Sequence, residues 1–233
     1  MAIGFDTMRP MARALPPILF EDEHLLAVAK APNELVVPSP WTSKDQTLIG
    51  RLQQRYPGRV WAVHRLDRDT SGVVLFARSR LALQSLHEQF RRHQIRKVYH
   101  AIVQGVIAQG GGVLTDRLAR SSKWTEGRVA RGGEGQSART EFQVLERLPG
   151  YTVVEARPVT GRFHQLRIHF QQFGHPLAYD PAYNPGASFV LRRVPLHASQ
   201  ITLQHPATRR PLDIGCPWAD DFARAIQSLR QAR

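Results

Sequence analysis

The string HRLDRDTSG, residues 64–72, sets His64, Arg65, Asp67 and Asp69 between two apolar runs, VWAV at 60–63 and VVLFA at 73–77. A loop of this kind displays a carboxylate beside a buried sheet. Such a carboxylate can act as a nucleophile or as a general base, provided that it is ionised at working pH. A guanidinium held against it would favour the charged form and aim its oxygens. The same residue types also make an ordinary connecting turn, with Asp67 or Asp69 capping Thr70-Ser71-Gly72. The loop by itself does not decide between the two.

Other chemistries find less support. The ten histidines hold no compact HExxH pair, and His164 and His169 fall off a single helical face, so no metal is expected. Gly110-Gly111-Gly112 and Gly132-Gly133 lack the Lys-Ser/Thr ending of a phosphate-binding loop and read as hinges. Cys216 is the only cysteine, which excludes an internal disulfide and a cysteine zinc cluster and suits a reducing cytoplasm.

The elements that must position these residues follow from periodicity. Residues 18–29 (ILFEDEHLLAVA) read as a β-hairpin near the start of a sheet. Leu48, Leu52 and Tyr56, followed by Pro57-Gly58, predict a short helix over 47–56 with a clear stop. Leu83, Leu86 and Phe90 predict an amphipathic helix over 79–93. Strands are expected at 98–105, 140–147, 151–158 and 195–204, with Pro149-Gly150 as a hairpin turn. The stretch 108–136 is rich in Gly, Ser and Arg and reads as a long loop or a weakly structured hairpin insertion. FHQLRIHFQQFG, 163–174, fits both periods, and its length and Gly174 favour a helix; a last helix is expected at 220–229. Hairpins joined by occasional helices imply an α+β fold around a mixed, mainly antiparallel sheet with flanking helices.

The chain of 233 residues can bury a good core, and its 42% hydrophobic and 22% charged shares are those of a globular protein. Residues 1–16 mix Asp, Arg and Pro and read as a loose tail rather than a signal, and no window reaches transmembrane length. One catalytic body over 17–233, of two intimate subdomains around a cleft, is the expected organisation. The net charge of +13 is the footprint of a protein that meets a polyanion, with nucleic acid the leading partner. Only Lys30, Lys44, Lys97 and Lys123 are lysines; arginine, whose planar fork suits phosphate oxygens, supplies the rest.

The HRLD..TSG string resembles the signature of the RluA-type RNA pseudouridine synthases. Three further blocks occur in that family's order: EDEHLLAVAKAP at 21–32, KVYHAIVQG at 97–105 and GRFHQLRIHFQQFGHPLAYDPAY at 161–183. PLHASQITLQHP, 195–206, resembles the closing strand. The resemblance implies an isomerase that turns uridine into pseudouridine in structured RNA, ribosomal or transfer. It implies Asp67 as the catalytic aspartate, Arg167 as the arginine paired with it, and Tyr99 as the ring that stacks on the target base. Arg65 would lie near the inserted nucleotide, with Leu196 and His197 at the pocket floor. His64, Leu66, Thr70 and Arg162 complete the expected substrate contacts. Singly, each has a plainer explanation: Tyr99 as a core aromatic, Arg167 as a surface charge, His197 as a satisfied core histidine. Their ordered register argues otherwise.

The chemistry agrees with this set. Isomerising uridine breaks the bond from ribose to base nitrogen, turns the freed base and rejoins it through carbon, with no net redox change, so no metal or coenzyme is needed. A stacked base is out of reach, so it must be flipped into a pocket where an aromatic face replaces the lost stacking. Phosphate contacts from the positive surface would then hold the rest of the RNA.

The chain departs from the family pattern at Ala31-Pro32-Asn33-Glu34, at Phe163, where the family has Thr, and at Tyr179, where it has Gly. An altered pocket rim or RNA preference is the expected consequence. Residues 1–16 are also too few to hold the small RNA-binding domain that many relatives carry ahead of the catalytic one. A cytoplasmic monomer without membrane contact is expected. The rival readings are a non-catalytic RNA chaperone on the same fold and an RNA nuclease or base glycosylase using the same acid.

Overall fold

The computed structural model describes residues 14–121, 126–130 and 134–232. Most of the expected N-terminal tail therefore lies outside the described residues. In chain order the elements are β1 (Ile18–Glu21), β2 (Leu25–Lys30), α1 (Leu48–Arg55), β3 (Trp61–Ala62), β4 (Ser71–Ala77), α2 (Arg80–Arg91), β5 (Arg96–Gln104) and β6 (Gly111–Arg120). There follow β7 (Gly127–Val129), β8 (Gln136–Leu148), β9 (Tyr151–Pro158), α3 (Gln165–Gln172), β10 (Leu196–Gln204), β11 (Pro211–Gly215) and α4 (Asp220–Gln231).

All the described strands join one sheet in the order β1-β2-β4-β10-β5-β9-β8-β6-β7, with β3 on β4 and β11 on β10. Among the described strands only the β4–β10 pair is parallel, which makes the sheet mixed and mainly antiparallel, an α+β fold. Every residue of β4 (SGVVLFA) is buried, as expected for an apolar run covered on both faces. Side-chain alternation explains how two helices cover one stretch of sheet. Ala101 and Val103 of β5 and Val154 of β9 pack with Leu166 and Phe170 of α3. Ile102 and Val153, one step along, pack with Phe222 and Ile226 of α4 on the other face.

Local signals place the first two helices. Thr47 caps α1 by accepting from the Gly50 amide at 3.3 Å, and Ser79 caps α2 by accepting from the Ala82 amide at 3.1 Å. Gly72 sits where β4 runs beside β10. Its φ is +116°, and a Cβ there would stand 2.1 Å from the Ala198 carbonyl oxygen, so only glycine fits the crossing.

Of the two readings of 108–136 the loop is corrected and the hairpin stands, more regular than expected: β6, ten residues long, pairs antiparallel with β7 and also with β8, from Gly111 opposite Gln143 to Leu118 opposite Gln136. Most β6 side chains are exposed, so no apolar alternation marks the strand, and its ladder hydrogen bonds hold it. β11 went unread for the same reason, since only Ile214 of PLDIG is buried. No helix among the described residues is long and apolar enough to cross a membrane.

Candidate active site

Where β4 leaves β10, the loop 64–70 faces α3 across a pocket of about 380 Å³. Its walls include His64, Arg65, Leu66, Asp67, Thr70, Tyr99, Arg162, Arg167 and Leu196. All the residues singled out from the sequence thus meet there except His197. On strand β10 adjacent side chains point to opposite faces, so Leu196 enters the pocket and His197 does not. His197 instead bonds Ser71 Oγ through Nδ1 at 2.9 Å and the Cys216 carbonyl through Nε2 at 3.2 Å. It is a satisfied core histidine, and the expectation that it lines the pocket floor is withdrawn.

The Asp67 loop is held at several backbone points. The Thr70 amide donates to the Asp67 carbonyl at 3.2 Å, closing a turn, and the Glu34 amide donates to the Arg68 carbonyl at 3.1 Å. Buried Lys30 donates from Nζ to the Ala31 and Arg68 carbonyls at 2.8 and 2.9 Å. Arg193, also buried, donates to the Asp69 carbonyl at 3.3 Å while its Nε and Nη2 grip Asp221 at 2.7 and 2.8 Å. His64 accepts from the Leu75 amide through Nε2 at 2.9 Å, and burial pushes its pKa down to about 3. Its ring forms pocket wall beside Phe90, and its acceptor nitrogen is engaged with the strand.

About 27% of the Asp67 side chain remains open to the pocket. The basic side-chain nitrogens that face its Oδ2 are His164 Nε2 at 3.7 Å and Arg167 Nη1 at 3.9 Å, both beyond hydrogen-bond length. Desolvation raises the Asp67 pKa above the ordinary carboxylate value, and Arg167, Arg65 and Lys30 offset this only in part. The expected pairing with Arg167 is thus present as a long ion pair without a hydrogen bond, because most of the guanidinium is engaged elsewhere. Arg167 forks onto buried Asp180, with Nε to Oδ2 at 2.7 Å and Nη2 to Oδ1 at 2.6 Å. Only Nη1 is left to turn towards Asp67. Burial works against the Arg167 charge, but the Asp180 hydrogen bonds more than restore it, so its pKa is raised.

Sequence reasoning missed His164 as a site residue. It stands at the start of α3 in a left-handed conformation, φ 53°. Its Nδ1 lies 2.9 Å from the Tyr183 hydroxyl, and its Nε2 lies 3.0 Å from Arg167 Nη1. The Tyr183 hydroxyl also donates to the Gly127 carbonyl at 3.2 Å. With that hydroxyl proton so engaged, the set is satisfied when His164 carries its proton on Nδ1 and accepts from Arg167 on Nε2. Burial and the flanking Arg167, Arg65 and Arg120 push its pKa down to about 3, so it is neutral. Asp180, thirteen positions from Arg167, gave no local signal of its role.

Tyr99 presents its ring to the pocket from β5, and burial together with the Asp67 charge pushes its hydroxyl pKa upward, so the phenol stays protonated. Lys97, one turn of the pleat away, donates to the Thr160 carbonyl at 3.3 Å, and burial lowers its pKa to about 8. Arg65 is exposed at the mouth, and half-buried Arg162 bonds the Ser137 carbonyl and Gln136 at 3.0 and 2.7 Å. Among the described residues, no group of three or more His, Cys, Asp or Glu is placed to hold a metal ion.

A carboxylate, a fixed guanidinium and an aromatic ring thus converge on a pocket with a basic mouth, and comparison with known proteins gives this geometry a family. The family model described as RNA pseudouridylate synthase matches residues 24–172. The chain belongs to the RluA-type RNA pseudouridylate synthases. Membership makes it an RNA-modifying isomerase. It is 37% identical over 223 residues, 93% of this chain and 70% of the relative, to the ribosomal large subunit pseudouridine synthase C of Vibrio vulnificus (strain CMCP6). It is 35% identical to the dual-specificity RNA pseudouridine synthase RluA of the same organism, over 94% of this chain and 92% of the relative. Among solved structures, human RNA pseudouridylate synthase domain containing 4 superposes with a TM-score of 0.75 at 25% identity, covering 91% of this chain and 92% of that one.

Proposed function

We propose that this chain converts selected uridines of structured RNA to pseudouridine with Asp67 as the catalytic group. Relatives named for the ribosomal large subunit favour ribosomal RNA as the substrate, and transfer RNA is the second candidate. The observation that carries the reading is the convergence of Asp67, Tyr99 and Arg167 on one pocket of about 380 Å³. That volume lies in the ~300–1,000 Å³ range of small-ligand pockets and suits a single extruded nucleotide, not a duplex.

In this reading the flipped uracil lies against the Tyr99 ring, which holds the detached base by stacking worth about 1–3 kcal/mol. The free Asp67 oxygen meets the ribose, as nucleophile at the anomeric carbon or as base towards a ribose proton. The bond from the anomeric carbon to N1 breaks and one to C5 forms; C5 gives up its proton and N1 gains one, so atoms and electrons balance. Arg167, aimed by Asp180, stabilises the ionised carboxylate. Neutral His164 accepts from the same guanidinium. Arg65, Leu66, Thr70, Leu196 and Arg162 shape the pocket and its mouth. His64 contributes a wall and anchors the loop. Residues 17–233 act as one catalytic body, a cytoplasmic monomer that uses no coenzyme.

The test maps pseudouridine in ribosomal and transfer RNA from cells with and without this protein, then incubates the deficient RNA with purified protein. Loss of a few defined pseudouridines, restored with no change in RNA mass, is expected. Strand cleavage or base loss would point to a nuclease or glycosylase, and RNA binding without conversion to a chaperone; either result overturns the proposal.

A further inference from the structure

The pocket rim carries a stack that the reaction described above leaves unused. The Phe163 ring lies parallel to the His164 ring, with centroids 3.8 Å apart and planes at 19°. Over Phe163 lies the guanidinium of Arg120, its Cζ 4.9 Å from the ring centroid. All three residues line the pocket, and His164 Nε2 is 3.7 Å from Asp67 Oδ2. A column of flat groups thus runs from beside the reacting carboxylate out to an exposed arginine on β6.

Resting on the proposed function, we infer that the Arg120–Phe163 pair is a stacking post for the unpaired base next to the target uridine, and so selects RNA whose neighbouring base is free to leave its helix. The pocket holds one nucleotide, so the neighbour must remain outside it, and extruding the target removes one of that neighbour's stacking partners. Guanidinium planes and aromatic rings are the surfaces on which unstacked RNA bases settle. A half-buried phenylalanine on the pocket wall otherwise leaves apolar surface facing water. The Arg120 side chain that covers it is long and exposed, so it can stack on an arriving base or swing aside at little cost. Phe163 also fixes the His164 ring plane, which keeps the post in register with Asp67.

The test uses a synthetic stem–loop RNA carrying a uridine that the wild-type protein converts, made intact and with each neighbouring nucleotide in turn replaced by an abasic ribose. Wild-type kcat/KM is expected to fall roughly tenfold on one of the abasic forms, the scale of one lost base stack. Phe163→Ala and Arg120→Lys should lose about as much on the intact RNA and nothing further on that abasic form, while Phe163→Trp keeps most activity. Equal losses by the variants on both RNAs would show a merely structural role and overturn the inference. Full activity of Arg120→Lys would reduce Arg120 to a phosphate contact, since lysine keeps charge but not the plane, and would overturn it too. If Phe163→Ala fails to fold, as its melting curve would show, the exposed Arg120→Lys change decides alone. A wild-type protein that isomerises uridine with no regard to the neighbouring base refutes only this inference; one that converts no uridine refutes the function on which it rests.

Discussion

The wall that carries Asp67 and the wall that carries Arg120, Arg162 and Phe163 differ in how their side chains are held. On the first, Lys30 and Arg193 reach from buried positions to the carbonyls of Arg68 and Asp69, and His64 pins the start of the loop to β4. On the second, Arg167 is fixed by Asp180 and half-buried Arg162 is tied to β8 at Ser137 and Gln136, but the outermost arginine, Arg120, extends from an exposed strand position. Under the proposed function the contrast follows from what each wall would do. A reacting carboxylate would lose about a hundredfold in rate for a misplacement near 1 Å, which an over-determined loop prevents. RNA phosphates and bases come in varied positions, and long charged side chains can follow them.

If the inner part of the second wall shares the rigidity of the first, Asp180→Asn gives the largest effect among changes to the residues that support Asp67. It removes the charge that matches a buried guanidinium, and kcat should fall about a hundredfold as Arg167 loses its aim. Urea denaturation should show a loss of ~3–5 kcal/mol, the usual consequence of breaking a buried pair on one side. Unchanged kcat would mean that Asp180 does not position the arginine.

On the loop wall, Arg193→Met should destabilise by about 1–3 kcal/mol, because the Asp69 carbonyl loses a donor and Asp221 its partner. The hydrogen bonds from Arg193 hold the Asp221 carboxyl below its ordinary value near 3.8. The stability from this pair is thus present above that value and lost as pH falls through the lower folded one. Urea midpoints of wild type and variant should therefore converge as the pH is taken below the ordinary carboxylate range; a gap that stays constant would deny the ion pair its part.

Both walls hold a neutral histidine, His64 and His164, each with a pKa pushed by burial to about 3. An unfolded chain takes up these protons near pH 6.5, so stability should fall as pH drops below that value, by up to ~1.4 kcal/mol per unit for each group. Melting temperatures across pH 7 to 4 would show it, and imidazole resonances that titrate near 6.5 in the folded protein would contradict it. The smallest effect is expected at the exposed Arg128–Glu134 pair, 2.7 Å apart. Arg128→Ala should shift stability by less than about 1 kcal/mol. If Arg128 meets a phosphate, RNA affinity should weaken alike for all sequences and the salt slope should drop by about 0.7–0.9.

Elements with a clear apolar pattern or stop were legible in the sequence: α1 and α2 from their leucines, β9 from the run 151–158 and the Pro149-Gly150 turn, α3 from its length and the stop at Gly174. β6 and β11 were not, because ladder hydrogen bonds rather than an apolar face hold them. In the site, HRLD and its companion blocks placed Asp67, Tyr99 and Arg167 in one pocket. What linked them was hidden. Asp180 and Tyr183 meet Arg167 and His164 only through the fold, and burial, which sets the direction of the Asp67 pKa, cannot be read from a loop of charges. His197 was misplaced although the signal was present, since strand alternation already set it opposite Leu196.

The central claim is that the Asp67 carboxylate performs the isomerisation from a pocket that binds the nucleotide without it. Its raised pKa means that burying the charge opposes folding above that pKa, so Asp67→Asn should fold at neutral pH at least as stably as wild type. The deciding measurement follows binding and single-turnover conversion of one substrate RNA by the same Asp67→Asn sample. RNA affinity near that of wild type with pseudouridine formation lowered by at least ~10²–10⁴-fold is the predicted result. Conversion at the wild-type rate would contradict the account.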